Sequence, residues 1–542
     1  MLFLLENPFL KGVPTMEKIF DTDRRIRLGI WGLGRGQSFI RSAQFLNIDV
    51  VAGCDINPEM RASFARNVPG AFVTADEDEF LAQDIDAVLV ATYFPSHAAH
   101  AIKALDRGKH VMCEVTSFRS PAEGVRLVEA VERSGKVYNL LENYPFTKEN
   151  MYLKQLWDEG FFGEFIYGEY EYVHCCRQLS YAYNFTVDGK QLLVEPGWVV
   201  HNWRAGLSTH LYNTHSLGPL MHITGLRPVM VEALPNTVIT PGTLQAPGFK
   251  SSAGASLVRM SNGGVMRNLM GSMTMDNHMG GRLWGTKAGA DKMTPGHLRL
   301  CIGADGSGMK TEVVPEWPEI GRLAEKTGHG GGDFWELYYF AREILTGEKA
   351  PWNIYAACDV TITGILAARS AARGGEPQRV PDFRDKAERD AYREDWAEDV
   401  PVFDPASVFP PDADKELLKD FNRIMVELFH NYGAQRQLYT YIQGRRLFDN
   451  LADPAAKQPI IDVARGLPAL LPRMAEYCRL AQRIRDAYPD SIGGRTLDRA
   501  LAHLPLDMIL DHGKTSAEIA DWLAKVDAAP VFGELTTHGR QA

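Results

Sequence analysis

The chain has 542 residues, more than one hydrophobic core usually fills, so two or three domains are expected. Its 45% hydrophobic and 23% charged composition is that of an ordinary soluble protein, and a net charge of −10 argues against a nucleic-acid surface, which needs concentrated Lys and Arg. Seven cysteines (Cys54, Cys113, Cys175, Cys176, Cys301, Cys358, Cys478) are odd in number and lack C-x-x-C spacing, which excludes a disulfide framework and a zinc site and predicts reduced cytoplasmic thiols. The apolar start Met1–Leu5 is followed at once by Glu6 and carries no basic residue, so it makes a poor signal peptide, and no run reaches the length of a membrane span. A small molecule is the expected partner, with no nucleic acid and no membrane.

The first element is the apolar run Arg27–Trp31, which enters a glycine-rich turn and then an amphipathic segment: strand, phosphate loop, helix. Gly32, Leu33, Gly34, Arg35, Gly36 and Gln37 form the loop, whose glycines let backbone N–H groups approach a pyrophosphate. Strict spacing puts a third glycine at position 37, which holds Gln37, while Gly36 comes one residue early; the loop is expected to be slightly reshaped. Ile48–Cys54 reads as the second strand, and Asp55 closes it where a ribose-binding carboxylate is expected.

Strands and helices then alternate to Asn143: strand Asp86–Thr92, helix Ala98–Arg107, strand Lys109–Glu114, helix Ala122–Ser134, strand Lys136–Leu141. Alternation of this kind predicts a Rossmann-type parallel sheet over residues 24–145, with ligand at the C-terminal strand ends, where Thr92, His97, Glu114, Glu142 and Asn143 fall. A helix at Lys148–Asp158 leads to a strand in Gly163–His174, where Tyr170, Tyr172 and His174 share one face by the two-residue period. Further strands at Ala255–Met260, Gly264–Met273 and Leu298–Ile302 predict a second α/β domain over 146–384 with a larger, mostly antiparallel sheet. Charged residues and Pro401, Pro405, Pro410 and Pro411 mark 385–411 as a linker or wrapping arm. From 412 to 542 the pattern is helical: Ala413–Asn431, Arg436–Leu451, Leu467–Tyr488, Leu497–His503 and Ser516–Val526. His174 beside Cys175 and Cys176 does not make a metal site, because adjacent strand residues face opposite ways.

The loop, Asp55, Thr92-Tyr93-Phe94-Pro95-Ser96-His97 and Gly108-Lys109-His110-Val111-Met112-Cys113-Glu114 together resemble the Gfo/Idh/MocA group of nicotinamide-dependent sugar oxidoreductases. The resemblance implies NAD as cofactor, with Thr92, Phe94, Pro95, Ser96, His97, Glu114, Val115 and Asn143 beside it. Common members end this strand in Glu-Lys-Pro and use the lysine in proton transfer; here the triplet is Glu114-Val115-Thr116, and Leu211 stands where a catalytic aspartate would precede His215. Both departures resemble the branch of NAD-dependent glycosidases, glycoside hydrolase family 109. So do Leu141-Glu142-Asn143, Gly163-Glu164 through Tyr172-Val173-His174, Leu211–Pro219 and His329-Gly330-Gly331-Gly332-Asp333.

In that branch bound NAD takes hydride from sugar C3, a base removes the acidified C2 proton, the leaving group departs, water adds, and C3 is reduced again. The resemblance implies Tyr172 as the C2 base and His215 as the handler of the C3 hydroxyl proton, with Glu142 and His174 in the same catalytic group. It implies Arg204, Tyr212, Asn213 and Thr214 in the sugar pocket. Asn213 replaces the family's proline, and Thr294-Pro295 replaces a Tyr-Pro, so the pocket is expected to differ. Plainer readings stand beside these: Tyr172 as a packing aromatic and His215 as a satisfied helix-start histidine. The leading expectation is a homo-oligomeric NAD-dependent oxidoreductase acting on a ring hydroxyl of a sugar or glycoside. Alternatives are the full glycosidase cycle on an α-N-acetylgalactosaminide-like substrate, and a non-catalytic NAD-binding scaffold or sensor.

Overall fold

The computed structural model describes residues 19–174, 185–187, 190–192, 208–238, 240, 242, 253–271, 277–294, 296–303, 308–397, 405–418, 420–429 and 434–528. The first sheet is built of β1 (Ile26–Trp31), β2 (Ile48–Cys54), β3 (Phe72–Thr74), β4 (Ala87–Val90), β5 (His110–Glu114) and β6 (Tyr138–Leu141) in the order β3-β2-β1-β4-β5-β6. Each described pairing is parallel. The strands read as apolar runs because both faces are covered, and all four residues of β4 are buried. Strand order reverses between β1 and β4, so a crevice opens outside their C-terminal ends. The covering helices include α1 (Ile40–Ala43), α2 (Pro58–Asn67), α3 (Glu77–Leu81), α4 (His97–Asp106) and α5 (Pro121–Ser134). The last starts with Pro121 behind a Ser120–Glu123 capping box and stops at left-handed Gly135.

Helix α6 (Lys148–Asp158) leads to β7 (Phe165–Val173). A small hairpin, β8 (Phe185–Val187) with β9 (Lys190–Leu192), precedes α7 (Thr214–Thr224). Strands β10 (Pro228–Ala233), β11 (Ala253–Met260), β12 (Val265–Gly271), β13 (Gly281–Gly285), β14 (Ala288–Thr294), β15 (His297–Ile302), β16 (Met309–Val313) and β17 (Gln378–Arg379) complete a nine-stranded sheet. Its order is β16-β15-β14-β13-β7-β12-β11-β10-β17, antiparallel throughout except for the parallel pair β7–β12. One face is buried through Tyr170, Asn268 and Ser256, and α7 packs on it. The other carries charge: Arg267 meets Glu169 and Glu171, and Arg282 and Arg299 meet Asp291.

Two long helices, α8 (Gly332–Thr346) and α9 (Ile354–Ala372), return the chain to the first sheet, where the Leu140 N–H donates to Trp352 O at 2.9 Å. One apolar core therefore runs from Phe20 to Phe383 through both sheets. The charged stretch after it lies along α5: within and beyond α10 (Lys386–Asp390), Arg389 grips Glu132 with two bonds of 2.6 Å, and Arg393 pairs with Glu129. Asp395 accepts 2.9 and 3.1 Å bonds from Arg369.

A second core, Val408 to Ile519, belongs to the C-terminal helices α11 (Lys415–Leu418), α12 (Phe421–Phe429), α13 (Ala434–Leu447), α14 (Pro454–Ala487), α15 (Ile492–Ala502), α16 (Leu506–Leu510) and α17 (His512–Ala528). The sequence pattern predicted a helix only from Leu467, but α14 begins at Pro454. Asp453 caps it, and Pro459, Pro468 and Pro472 lie within it away from the buried stripe Ile460, Ala464, Leu467, Leu471 and Met474. No described helix is long and apolar enough to cross a membrane.

Candidate active site

The turn after β1 follows from its glycines. Gly32 has φ +96°, and a Cβ there would lie 2.3 Å from Ala91 O, so no side chain fits. Above Gly34 there is nothing within 4 Å of a Cβ position, which leaves a bare stretch of backbone facing the crevice. The loop is held from its ends. Asp55 accepts from the Leu33 N–H at 2.6 Å and the Asn57 N–H at 2.8 Å, and Gln37 Nε2 donates to Leu33 O at 2.6 Å while its Oε1 accepts from Asn67. Burial raises the Asp55 carboxyl above its ordinary value, and the two N–H groups oppose this. A phosphate fits over Gly34, and the remaining lone pairs of Asp55 suit ribose hydroxyls, so these residues fit a dinucleotide.

Arg35, the loop's only cation, is drawn across the strand ends. Its Nη atoms donate to both oxygens of Asp333 at 2.8 and 2.7 Å, its Nε donates to Glu114 at 2.9 Å, and its guanidinium lies 4.4 Å over Phe39. Asp333 is 1% exposed, yet Arg35 and His329, whose Nδ1 is 2.9 Å away, outweigh that burial and hold its carboxyl down to about 2. The backbone allows this because Gly332 packs onto Asn143, where a Cβ would meet Asn143 at 2.6 Å.

Beyond β6, His215 on α7 places Nδ1 2.8 Å from Glu142 Oε1, which also accepts from the Tyr144 N–H at 3.2 Å. Glu142 is fully buried and His215 is 7% exposed. Around the imidazole stand Tyr172 at 4.5 Å between ring centroids, Tyr144 at 5.0 Å and Tyr212 at 5.9 Å. The Tyr144 hydroxyl donates to Met279 Sδ at 2.8 Å, its ring lies 5.0 Å from that of Tyr172, and burial with the charge of Glu142 raises its phenol. His174 lies 5.6 Å from Tyr172. Three strand or helix ends thus bring Glu142, Tyr172, His174, Tyr212 and His215 together, one imidazole with a carboxylate behind it and phenols in front.

Other expected residues take different places. Thr92 engages His100 at 2.8 Å, and His97 is spent on two carbonyls, Thr116 O at 2.9 Å and Thr92 O at 3.1 Å, bracing β4 to β5. Phe94, Pro95 and Ser96 form the short turn before α4, with Phe94 buried. Glu114 accepts from Arg35 and from the Val115 N–H at 3.2 Å. Asn143 is buried with its Oδ1 unpaired. Asn213 and Thr214, expected in the sugar pocket, are 1% and 0% exposed. The Asn213 Oδ1 faces α9, 2.5 Å from a Cβ position at Gly364, because its backbone starts α7. Arg204 lies outside the described residues. Sequence reasoning missed Tyr144, although it follows Glu142-Asn143 directly, and the joining of Arg35 to Asp333 across 298 positions, for which no local signal exists.

A doubly wound sheet with this loop, joined to an open sheet that supplies the imidazole and phenols, defines an NAD-binding Rossmann oxidoreductase of two-sheet build. Residues 26–141 match the model of the Gfo/Idh/MocA oxidoreductase family, NAD-binding Rossmann fold, and residues 311–388 match the C-terminal domain of glycosyl hydrolase family 109. Over these two stretches the chain is similar to the Gfo/Idh/MocA family and to family 109. A glycosyl hydrolase family 109 protein of Saccharopolyspora erythraea is 25% identical over 420 residues, 69% of this chain and 86% of that protein. An alpha-N-acetylgalactosaminidase of Shewanella oneidensis is 24% identical over 402 residues, 66% and 85% respectively. The fold is shared with a levoglucosan dehydrogenase in complex with NADH and levoglucosan (TM-score 0.55, 19% identity, 66% of this chain and 100% of that one). It is also shared with an inositol dehydrogenase homolog from Azotobacter vinelandii complexed with NADH and myo-inositol (TM-score 0.52, 20% identity, 66% and 98%).

Proposed function

We propose that the protein is an NAD-dependent oxidoreductase acting on a ring hydroxyl of a sugar or glycoside, with His215 as the proton acceptor. The observation that carries this reading is the buried Glu142–His215 pair, placed at the C-terminal end of β6 beside the dinucleotide crevice and faced by Tyr172, Tyr144 and Tyr212. NAD, when bound, supplies the hydride acceptor. The chain's own groups do the rest. Glu142 Oε1 receives the Nδ1–H of His215, a tautomer assigned from that partner, which leaves Nε2 free to take the hydroxyl proton as the carbinol becomes a ketone. Glu142 then stabilises the imidazolium. Gly32, Gly34 and Asp55 hold the dinucleotide, and Arg35 with Asp333 fixes the loop.

The same geometry supports a second reading, a redox-assisted glycosidase. It is favoured by the family 109 match over 311–388 and by Val115 standing where the dehydrogenases carry lysine. In that cycle Tyr172 takes the C2 proton. Tyr144, whose hydroxyl donates to Met279 Sδ at 2.8 Å, packs its ring 5.0 Å from that of Tyr172. Aryl glycosides separate the two readings: aglycone released without added NAD supports the cycle, and accumulation of ketosugar with NADH supports net oxidation. Absence of NAD or NADH from denatured purified protein, together with no binding of added NAD, refutes both. The described cysteines Cys54, Cys113, Cys301, Cys358 and Cys478 are free thiols, which supports a reducing, cytoplasmic setting. We also assign the chain to a homo-oligomer, to be tested by light scattering.

A further inference from the structure

The dinucleotide crevice has a direction. Asp55, just after β2, marks the ribose of one half, and the loop after β1 carries the pyrophosphate. In the sheet order the other half therefore runs over the ends of β4, β5 and β6. That half is the nicotinamide, because hydride passes to it from the carbinol whose proton goes to His215, and the carboxylate behind His215 follows β6.

The charged groups gathered at these ends are mostly acids. Glu114 closes β5, Glu142 follows β6, and Asp333 lies in the first turn of α8, where Gly332 rests on Asn143. In the described ion pairs Arg35 is the sole Arg or Lys that reaches them, and it is shared between Glu114 and Asp333. Val115, the residue after Glu114, adds no cation. The Asp333 carboxyl lies at about 2 and is ionised, and Glu114 accepts from the guanidinium at 2.9 Å. Glu336, one turn further along α8, counts as neutral. Both its oxygens are buried with no hydrogen-bond partner among the described residues, and burial, then the charges of Asp333 and Glu114, push its carboxyl well above the ordinary range. Three carboxylates against one guanidinium leave a negative excess. Water screens it little, since Glu142 is 0% and Asp333 1% exposed. Neighbouring strand ends stand about 5 Å apart, so these charges act on whatever lies outside β4 and β5.

The oxidised nicotinamide is a cation and the reduced ring is neutral, so this field distinguishes them. We infer that Glu114, Glu142 and Asp333 make the crevice select the oxidised cofactor, so that NAD+ binds more tightly than NADH. Bound cofactor then rests in the form that accepts hydride. The NADH formed by oxidation of a carbinol is a stronger hydride donor than free NADH, suited to returning the hydride to a ketone held in the same site. The inference rests on the proposed NAD-dependent function and is common to both reactions considered for it.

The test is the ratio of the two affinities, read on the full chain at pH 8 from NADH fluorescence and from displacement of NADH by NAD+. NAD+ should bind at least about tenfold more tightly, which for a two-electron couple places bound cofactor about 30 mV below free NAD. Where the cofactor does not exchange, equilibration of the holoprotein with a redox dye gives that potential directly. Glu114→Gln and Asp333→Asn each remove a negative charge and should cut the ratio about threefold or more; Arg35→Gln removes the positive charge and should raise it. Opposite signs are what a structural role would not produce, because damage to the loop weakens both forms and leaves their ratio alone. NADH bound as tightly as NAD+, or a ratio that E114Q leaves unmoved, overturns the inference. If D333N or R35Q does not fold, the wild type and E114Q decide. Failure of the wild type to bind either form refutes the proposed function and this inference with it, whereas binding of both with equal strength refutes the inference alone.

Discussion

Replacing Asp333 with Asn keeps the shape of the side chain and removes the charge that Arg35 and His329 hold. The buried carboxyl lies at about 2 against an ordinary 3.8, and at about 1.4 kcal/mol per pH unit this difference is worth about 2 kcal/mol of folding stability. A depressed acid contributes where it is ionised in both states. The deficit of D333N should therefore be about 2 kcal/mol near neutrality and should shrink as pH falls through about 4 towards 2, where the wild type also protonates. Urea is the denaturant to use, because guanidinium is itself a salt and would screen the pair. The unfolding transition of the core that runs from Phe20 to Phe383, followed by tryptophan fluorescence at several pH values, gives the difference. A deficit that stays constant from pH 7 to pH 3 refutes the electrostatic account and points to packing around the introduced amide instead. A double-mutant cycle with Arg35→Met adds a second check. The bidentate contact predicts a coupling of at least about 1.5 kcal/mol, and a value under about 0.5 kcal/mol would show that Arg35 and Asp333 do not act as a pair.

His215→Gln should lower turnover of whatever sugar is oxidised by about 100-fold or more while leaving NAD content unchanged, as expected for loss of a general base; parallel loss of both would mean that the residue is structural. Tyr172→Phe should spare hydride transfer to bound NAD but abolish aglycone release, if such release is found; equal rates in variant and wild type reject Tyr172 as a base. The two loop glycines should separate. Gly34→Ala has open space and should fold normally while holding NAD more weakly. Gly32→Ala meets Ala91 O and an unfavourable φ, and should destabilise the fold by about 1–3 kcal/mol or more. A chain ending at residue 397 should keep the core of residues 20–383 and its NAD. One ending at 384 should lose stability in calorimetry, because the buried Arg389 no longer grips Glu132.

The first half of the chain was legible because its signals are local. Five of the six strands of the parallel sheet are the expected short apolar runs, α5 has a capping box and a left-handed glycine stop, and Leu33 in the loop is tied to Asp55 locally, whereas the three-residue β3 and the helices α2 and α3 beside it were not anticipated. Tyr172 could be placed on the same face as Tyr170 by the two-residue period, and β7 keeps that face towards α7. The long proline-bearing α14 was legible only from Leu467 onward, since a proline argues locally against a helix whose buried stripe of leucines, alanines and methionine holds it from the other side.

The site divides along the same line. Sequence by itself determined the dinucleotide loop, the strand-end acids and the presence of His215 and Tyr172, because these sit in contiguous motifs whose chemistry is carried by residue type. Tertiary structure decided which of them meet. Glu142 backs His215 across 73 positions, Arg35 leaves the loop for Asp333 across 298, and the Asn213 amide lies against α9 at Gly364. It also left both buried oxygens of Glu336 without a hydrogen-bond partner among the described residues. Such facts depend on which polar groups remain to satisfy one another once the cores close, and that accounting exists only in three dimensions.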